Sequence, residues 1–558
     1  MKKYFWLLAI IFLSWWAIKP LFHSGFFPMH DDTQVVRVNE MALALKAGQF
    51  PVRWVGDLGY GYGYPLFNFY APLAYYFGGL INLVGVDALI ATKAMIVLGI
   101  LLSGIFMYLF AKELWGEMGG LAGAVFYIYA PYHALDLYVR GAIGELWAIA
   151  FLPLAFLGIY KIFKNNDKGV IITTVGFAGL VLSHNLTAMM TFPFLIGVIV
   201  IGLAFVKDKL RCLKHSFFSL LLGLGLSSFY WLPAVVEMKL TNVYSQIGGG
   251  ADYHDHFVFL DQLWASPWGF GGSAPGRLDG MSFMIGKMHL LAVLVALLIM
   301  LFAWLNKQKM TLFYLLGAFI IFLVSVFFTQ NLSLFIWKRF PVMAFFQYPW
   351  RFLLLTIFAA SLMGGALVTL FKNKTPFLQY FALLSLIIVT IAFNQKYFRP
   401  QEYLSKNSSQ YLSERNVKWV TSKISDEYLP KGFTPPQVES EVAWSKISLL
   451  GNQTKVENFI VKPNIYKLTI NGQGSSEMVV NLAYYPGWWK AEINGEEESY
   501  LVSGRNLILN LLPGKQNIVF KLVDTPIQKI GNILSLLSIV GLTSVAYVRI
   551  PLWKKLSR

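Results

Sequence analysis

Tyr60-Gly-Tyr-Gly-Tyr-Pro65, running on through Phe67, Phe69, Tyr70, Tyr75 and Tyr76 to Leu83, is apolar enough to pass for a membrane span. Whether it is one decides on which side of the membrane every later loop lies. The surrounding chain suits a bilayer: of 558 residues, 56% are hydrophobic and 13% charged, a balance that excludes an ordinary soluble globule. With 60–83 kept out of the membrane, a first helix from Tyr4 to Phe22 is followed by apolar runs at 88–111, 119–139, 145–160, 169–183, 186–206, 215–236, 288–305, 310–328, 351–371, 375–393 and 528–548, about twelve spans in all. Lys2 and Lys3 precede the first helix, but Trp15, Trp16, Lys19 and Pro20 stand where signal-peptide cleavage needs small residues, so the helix is expected to be retained.

Charge fixes the orientation. On one side, short connections carry Lys112; Lys161, Lys164 and Lys168; Lys207, Lys209, Arg211 and Lys214; Lys307 and Lys309; Lys372 and Lys374; and the tail from Arg549 to Arg558. The longer loops of the other side hold few cations, among them Arg37, Lys46, Arg53, Arg140, Lys239 and Arg277. Positive residues stay cytoplasmic, so both chain ends are expected there, and the long loops outside. Were 60–83 a span, every later loop would flip and the bias would reverse. The net charge of +17 is thus a topology signal and not a nucleic-acid footprint, since residues 394–526 hold 15 Lys/Arg against 13 Asp/Glu. The one cysteine, Cys212, excludes an internal disulfide framework and a Cys-rich zinc site.

Three units are expected: a polytopic helical membrane domain over 1–393, a β-rich domain over 394–526, and a final span with a basic tail over 527–558. In the second, Tyr466, Leu468 and Ile470 alternate with Lys467, Thr469 and Asn471, and Ile518, Phe520 and Leu522 with Val519, Lys521 and Val523. That period of two predicts an extracytoplasmic antiparallel β-sandwich, with hairpins at Asn494-Gly495 and Pro513-Gly514.

The chemistry gathers at the outer side. His30-Asp31-Asp32 follows the first helix, and adjacent carboxylates near lipid are costly unless water, a metal or a basic group compensates them; otherwise Asp32 would cap a helix starting at Thr33. From Val35 to Leu45 the apolar residues recur at helical spacing, as in a short amphipathic helix lying in the interface. Glu145 opens a span just after Arg140. His184-Asn185 breaks the apolar stretch 169–206. Gln347-Tyr-Pro-Trp-Arg351 brings a guanidinium suited to a phosphate, while Lys338 and Arg339 read as snorkelling cations. Tyr253-His-Asp-His256 spaces two imidazoles by two, a weak metal motif without a third ligand. Tyr60, Tyr62, Tyr64, Trp264 and Trp268 suit an interfacial belt or a sugar-stacking platform. Together these suggest an outward pocket for transfer from a lipid-phosphate donor. Asp31, Asp32 and Glu145 are the candidate catalytic acids and bases. His30, Arg140, His184, Asn185, Gln347 and Arg351 are the candidates for holding donor phosphate or substrate. Asp31 and Asp32 are also candidate oxygen ligands for a divalent magnesium or manganese ion.

These residues resemble the GT-C superfamily of multispan glycosyltransferases, whose first outer loop carries an acidic motif where this chain has His30-Asp31-Asp32. A closer resemblance is to the YfhO-like and 6-pyruvoyl-tetrahydropterin synthase-related bacterial membrane proteins. It rests on Tyr64-Pro-Leu-Phe-Asn-Phe-Tyr70, Arg140 to Glu145, Ser183-His-Asn-Leu-Thr187, Gln347 to Arg351, Tyr484-Tyr-Pro-Gly-Trp-Trp-Lys490 and Ile493-Asn-Gly495. The resemblance implies a polyprenyl-phosphate-sugar donor, a glycan, lipid or protein acceptor, a place in the bacterial inner membrane, and Asp31 or Asp32 as acid/base. The pterin-synthase name carries no pterin chemistry here, because the chain has no soluble enzyme domain with a three-histidine zinc site. In place of an Asp-x-Asp, the second outer loop offers only Asp136 and Glu145. The alternative reading is a transporter or flippase, or a non-catalytic scaffold, for lipid-linked saccharides; a transporter would spread its polar residues through the membrane midplane.

Overall fold

The computed structural model describes residues 2–450 and 454–549; Lys554, Lys555 and Arg558 of the basic tail lie outside them. Among the described residues, eight helices are long and apolar enough to cross a membrane: Ala88–Ile128, Ile143–Phe163, Asn185–Phe205, Lys287–Leu305, Lys309–Thr329, Pro349–Phe371, Pro376–Tyr397 and Pro526–Tyr547. Two bent pairs, Phe5–Leu13 with Trp15–Phe22 (41°) and Lys209–Leu226 with Ser228–Leu240 (71°), raise the count to ten. The chain is a membrane protein with eight to ten candidate spans.

Three of the runs read as separate spans take other forms. The runs 88–111 and 119–139 belong largely to one helical segment, Ala88–Ile128, that reverses at Gly116 (φ 80°, ψ −179°). Its second arm folds back on the first, so a Cβ on Gly120 would lie 2.8 Å from the Tyr108 ring. The run 169–183 forms a helix of 16 residues, Lys168–Ser183, short of the roughly 20 that cross a hydrocarbon core upright.

The deciding stretch forms no span: it holds the short helices Leu66–Phe69 and Leu73–Leu83. Its tyrosines are neither a belt nor a sugar platform, because Tyr60, Tyr62 and Tyr64 are buried beneath the chain that leads into the β-domain. Tyr60 donates to Asp426 Oδ2 (3.0 Å) and Tyr62 to the Glu441 carbonyl (3.0 Å), while Tyr64 accepts from the Tyr428 N–H (3.0 Å). The Lys446 ammonium donates to the carbonyls of Gly56 and Gly61. Trp54 packs its ring against Tyr485, Trp488 and Trp489.

The helix Gln34–Lys46 is likewise not interfacial. Most of it is buried, Arg37 and Glu40 included. The Arg37 guanidinium lies 4.3 Å from the Tyr70 ring centre and donates to Ser425 Oγ (2.9 Å); Glu40 accepts from the Asp57 N–H (3.2 Å). Thr33, not Asp32, is the residue before its first turn, and no side chain caps it.

Among the described residues, nine strands, β1 (Ile447–Leu450), β2 (Thr454–Lys462), β3 (Ile465–Gly472), β4 (Ser476–Asn481), β5 (Trp489–Ile493), β6 (Glu496–Glu498), β7 (Leu501–Ser503), β8 (Asn506–Leu511) and β9 (Gly514–Leu522), form two antiparallel sheets. Their orders are β1-β4-β8-β7 and β2-β3-β9-β5-β6. The expected alternation buries Tyr466, Leu468 and Ile470 on β3, and Ile518 and Phe520 on β9. Asn494-Gly495 closes the β5–β6 hairpin. Pro513-Gly514 does not close one: β8 and β9 lie in different sheets, and the turn carries the chain between them. The final helix Pro526–Arg549 is pinned by buried Glu237, which accepts from Asn68 (2.9 Å), Thr525 (2.6 Å) and Gln528 (3.0 Å).

Candidate functional site

Residues 29–34 lie along residues 139–141, and this apposition brings the acidic pair to the charged end of the helix Ile143–Phe163. The His30 N–H donates to the Val139 carbonyl and the Asp31 N–H to that of Arg140, both at 3.0 Å. Gln34 Nε2 donates to the carbonyls of Asp31 (2.9 Å) and Gly141 (2.8 Å), and its Oε1 accepts from Tyr75 (2.6 Å). Gly141 has a φ of 68°, and a Cβ there would meet Met29 Sδ at 2.2 Å, so only glycine admits this approach. His30 Nε2 reaches the Phe270 carbonyl (3.0 Å), tying the loop 237–287 to the same place.

Behind this loop stands a buried ionic cluster. A π-helical turn, Asp136–Arg140, aims the Arg140 guanidinium at Asp136 Oδ1 and at Glu145 Oε2, the latter at 2.9 Å. Glu145, in the first turn of its helix, also accepts from Tyr132 (2.6 Å). Arg140 lies 4.6 Å from the Trp350 ring centre. Arg351, 9% exposed, donates through one terminal nitrogen to the Phe346 carbonyl (2.9 Å) and Gln347 Oε1 (3.0 Å). Its Nε stands 4.0 Å from Glu145 Oε2 and makes no hydrogen bond among the described residues. Two guanidiniums converge on this end of the helix, and donors of this kind suit an anion.

Asp31 and Asp32 part company. Asp31 is exposed, its carboxylate holds no side-chain partner among the described residues, and it acts electrostatically on Tyr70, Tyr75 and Asp136. Tyr70 continues the path to the cluster, since a Cβ on Gly144 would lie 3.8 Å from its hydroxyl and 3.6 Å from the His184 ring. Asp32 instead faces Lys406 and Tyr411; burial raises its carboxyl, with Lys406 opposing. A divalent ion shared by the two aspartates therefore does not fit, and no group of three or more metal-ligating side chains occurs among the described residues. The histidine pair of the long loop is also separated: His254 bonds Asp252 (2.6 Å), and His256 bonds Ser273 (2.8 Å) and the Gly250 carbonyl (3.1 Å).

Of the remaining candidates, His184 breaks the chain between two helices and bonds Thr187 (2.8 Å). Asn185 is exposed, and its Oδ1 accepts from the Leu186 N–H (2.9 Å). Lys338 and Arg339 are exposed. In the sequence Tyr70, Tyr75 and Trp350 stood out only within longer stretches and not as site residues, Tyr132 did not stand out at all, and Asp136 entered only as a missing motif. The spacing of Asp136 and Arg140, four apart on a helix, is the signal that could have found that pair.

The region that carries Arg140, Glu145 and His184 also has recognisable relatives. Residues 67–246 match the family described as the 6-pyruvoyl-tetrahydropterin synthase related domain, a membrane protein. The match excludes Asp31 and Arg351, which reach the cluster from either side of it. An uncharacterised protein of Lactococcus lactis subsp. cremoris (strain MG1363) is 26% identical over 242 residues, 42% of this chain and 39% of that protein; the chain thus spans about two-fifths of that relative's length. Among solved structures, the chain is similar to the apo oligosaccharyltransferase of Archaeoglobus fulgidus (11% identity, TM-score 0.44, covering 79% of this chain and 62% of that one). It is also similar to the arabinofuranosyltransferase AftD from Mycobacteria (14% identity, TM-score 0.43, covering 72% and 27%).

Proposed function

We propose that the chain is a membrane glycosyltransferase, moving a sugar from a polyprenyl-phosphate-linked donor to an acceptor at the outer face of the cytoplasmic membrane. The observation that carries this reading is the Asp31 carboxylate, which has no side-chain partner among the described residues and whose backbone is bonded to Arg140 beside the buried Arg140–Glu145–Arg351 cluster. A base and an anion hole side by side are what transfer from a glycosyl phosphate requires. Asp31 takes the proton of the acceptor hydroxyl as that oxygen bonds to the anomeric carbon. The bond from that carbon to the phosphate oxygen breaks, and the electron pair leaves with the polyprenyl phosphate. Arg351 and Arg140 stabilise the charge it gains. Glu145, occupied by both guanidiniums and Tyr132, acts as their anchor. The charge bias of the loops supports an outward site, with about twelve crossings if the hairpin arms and the 16-residue helix are counted.

Polyprenyl-phosphate-sugar binding and turnover, measured on the purified full chain, test this reading. Asp31→Asn is expected to keep donor binding and lose turnover by about 10²- to 10⁴-fold, and Arg351→Gln to weaken donor binding. A chain that binds no glycosyl phosphate, or an Asp31→Asn variant with undiminished turnover, would overturn it; a flippase would retain lipid translocation in that variant.

A further inference from the structure

A second basic feature lies away from the Arg140 cluster, where the β-domain meets the membrane domain. Strand register places Lys462, Ile465 and Lys521 side by side across β2, β3 and β9, with Ile460 and Lys467 in the next row of the same face. These side chains, with Asn464, Leu522 and Ala47, line a cavity of about 380 Å³. Asn464 Nδ2 donates to the Ala47 carbonyl (3.4 Å), so the β2–β3 turn sits on the end of the helix Gln34–Lys46. Lys521 is paired with Glu492. Lys462, Lys467 and the nearby exposed Lys46 have no acidic partner among the described residues.

Position identifies what covers this surface. Lys521 precedes Pro526, where the last candidate span begins, by a length of chain that reaches about 16 Å at full extension. The cradle is therefore held close to the headgroup layer. On either side of Lys46, Leu43 is 38% exposed and Phe50 is 79% exposed, apolar side chains that water does not favour and a lipid interface does. Unpaired ammonium groups beside exposed apolar anchors complement a phosphodiester headgroup and its glycerol.

We propose that this cradle binds the headgroup of an anionic phospholipid, which fixes the β-domain against the bilayer. The site is independent of the glycosyltransferase reading. Native mass spectrometry of the full chain, titrated with phosphatidylglycerol and with phosphatidylcholine of the same acyl chains, tests it. The wild type is expected to hold one phosphatidylglycerol about tenfold more tightly than phosphatidylcholine. A Lys462→Gln/Lys467→Gln variant should lose that preference at an unchanged melting temperature. Lys372→Gln/Lys374→Gln, with both lysines in another loop, should keep it. Equal binding of the two lipids by the wild type, a preference unchanged in the first variant, or an equal loss in the second would overturn the proposal.

Discussion

Glu145 balances two buried guanidiniums, and its removal leaves both uncompensated in a place that water reaches poorly. Glu145→Ala should therefore destabilise the chain by about 3–5 kcal/mol, read as a lowered melting temperature in detergent. Glu145→Gln, which keeps the contact with Tyr132, should cost less. Glu40 gives a pH signature. Burial and the nearby Asp57 push its carboxyl from 4.5 up to about 8, so the folded state holds a proton that the unfolded chain releases. Stability then falls as pH rises across that window, and Glu40→Gln should flatten the melting temperature between those values. Lys446, pushed down to about 8 by burial, adds its own dependence at the upper edge of that window, so the comparison is read below it. At this scale Arg140, Glu145 and Arg351 were legible because charges near lipid demand a reason. The divergence of Asp31 and Asp32 was not, because it is set by Lys406 and Tyr411, far along the chain.

The loop from Trp54 to Tyr64 and the strap 418–446 behave as one element, joined by Lys446 through the Gly56 and Gly61 carbonyls. Lys446→Met should strand these buried carbonyls at a cost of about 1–3 kcal/mol each, and limited proteolysis should then cut within 418–446 faster than in the wild type. That 60–83 forms no helix long enough to span could be expected from charges in later loops, since each loop's side depends on the spans before it. The burial of its tyrosines could not, because their partners Asp426, Glu441 and Tyr428 lie more than 350 residues away. Turn chemistry showed the same limit. Asn494-Gly495 and Pro513-Gly514 both specify a turn, but whether the flanking strands pair depends on the packing of two sheets, which dipeptides do not encode. The helix Gln34–Lys46 has the expected periodicity, and only its surroundings make it a buried strut.

For the whole molecule, the membrane helices and β-domain are held together around one polar seam: the acidic loop lies on Arg140, the strap covers the tyrosines, and Glu237 ties in the final helix. In the proposed enzyme this seam keeps Asp31 open to an acceptor while Asp32 faces Lys406 and Tyr411. The two aspartates, adjacent in sequence, should therefore behave differently. The most direct test is sugar transfer from a polyprenyl-phosphate donor by the full chain in proteoliposomes, comparing Asp31→Asn with Asp32→Asn. The account predicts that Asp31→Asn abolishes transfer while its melting temperature is kept, and that Asp32→Asn transfers at a rate within about tenfold of wild type, well inside the loss expected for a missing general base. Loss of transfer in Asp32→Asn with Asp31→Asn fully active would contradict it.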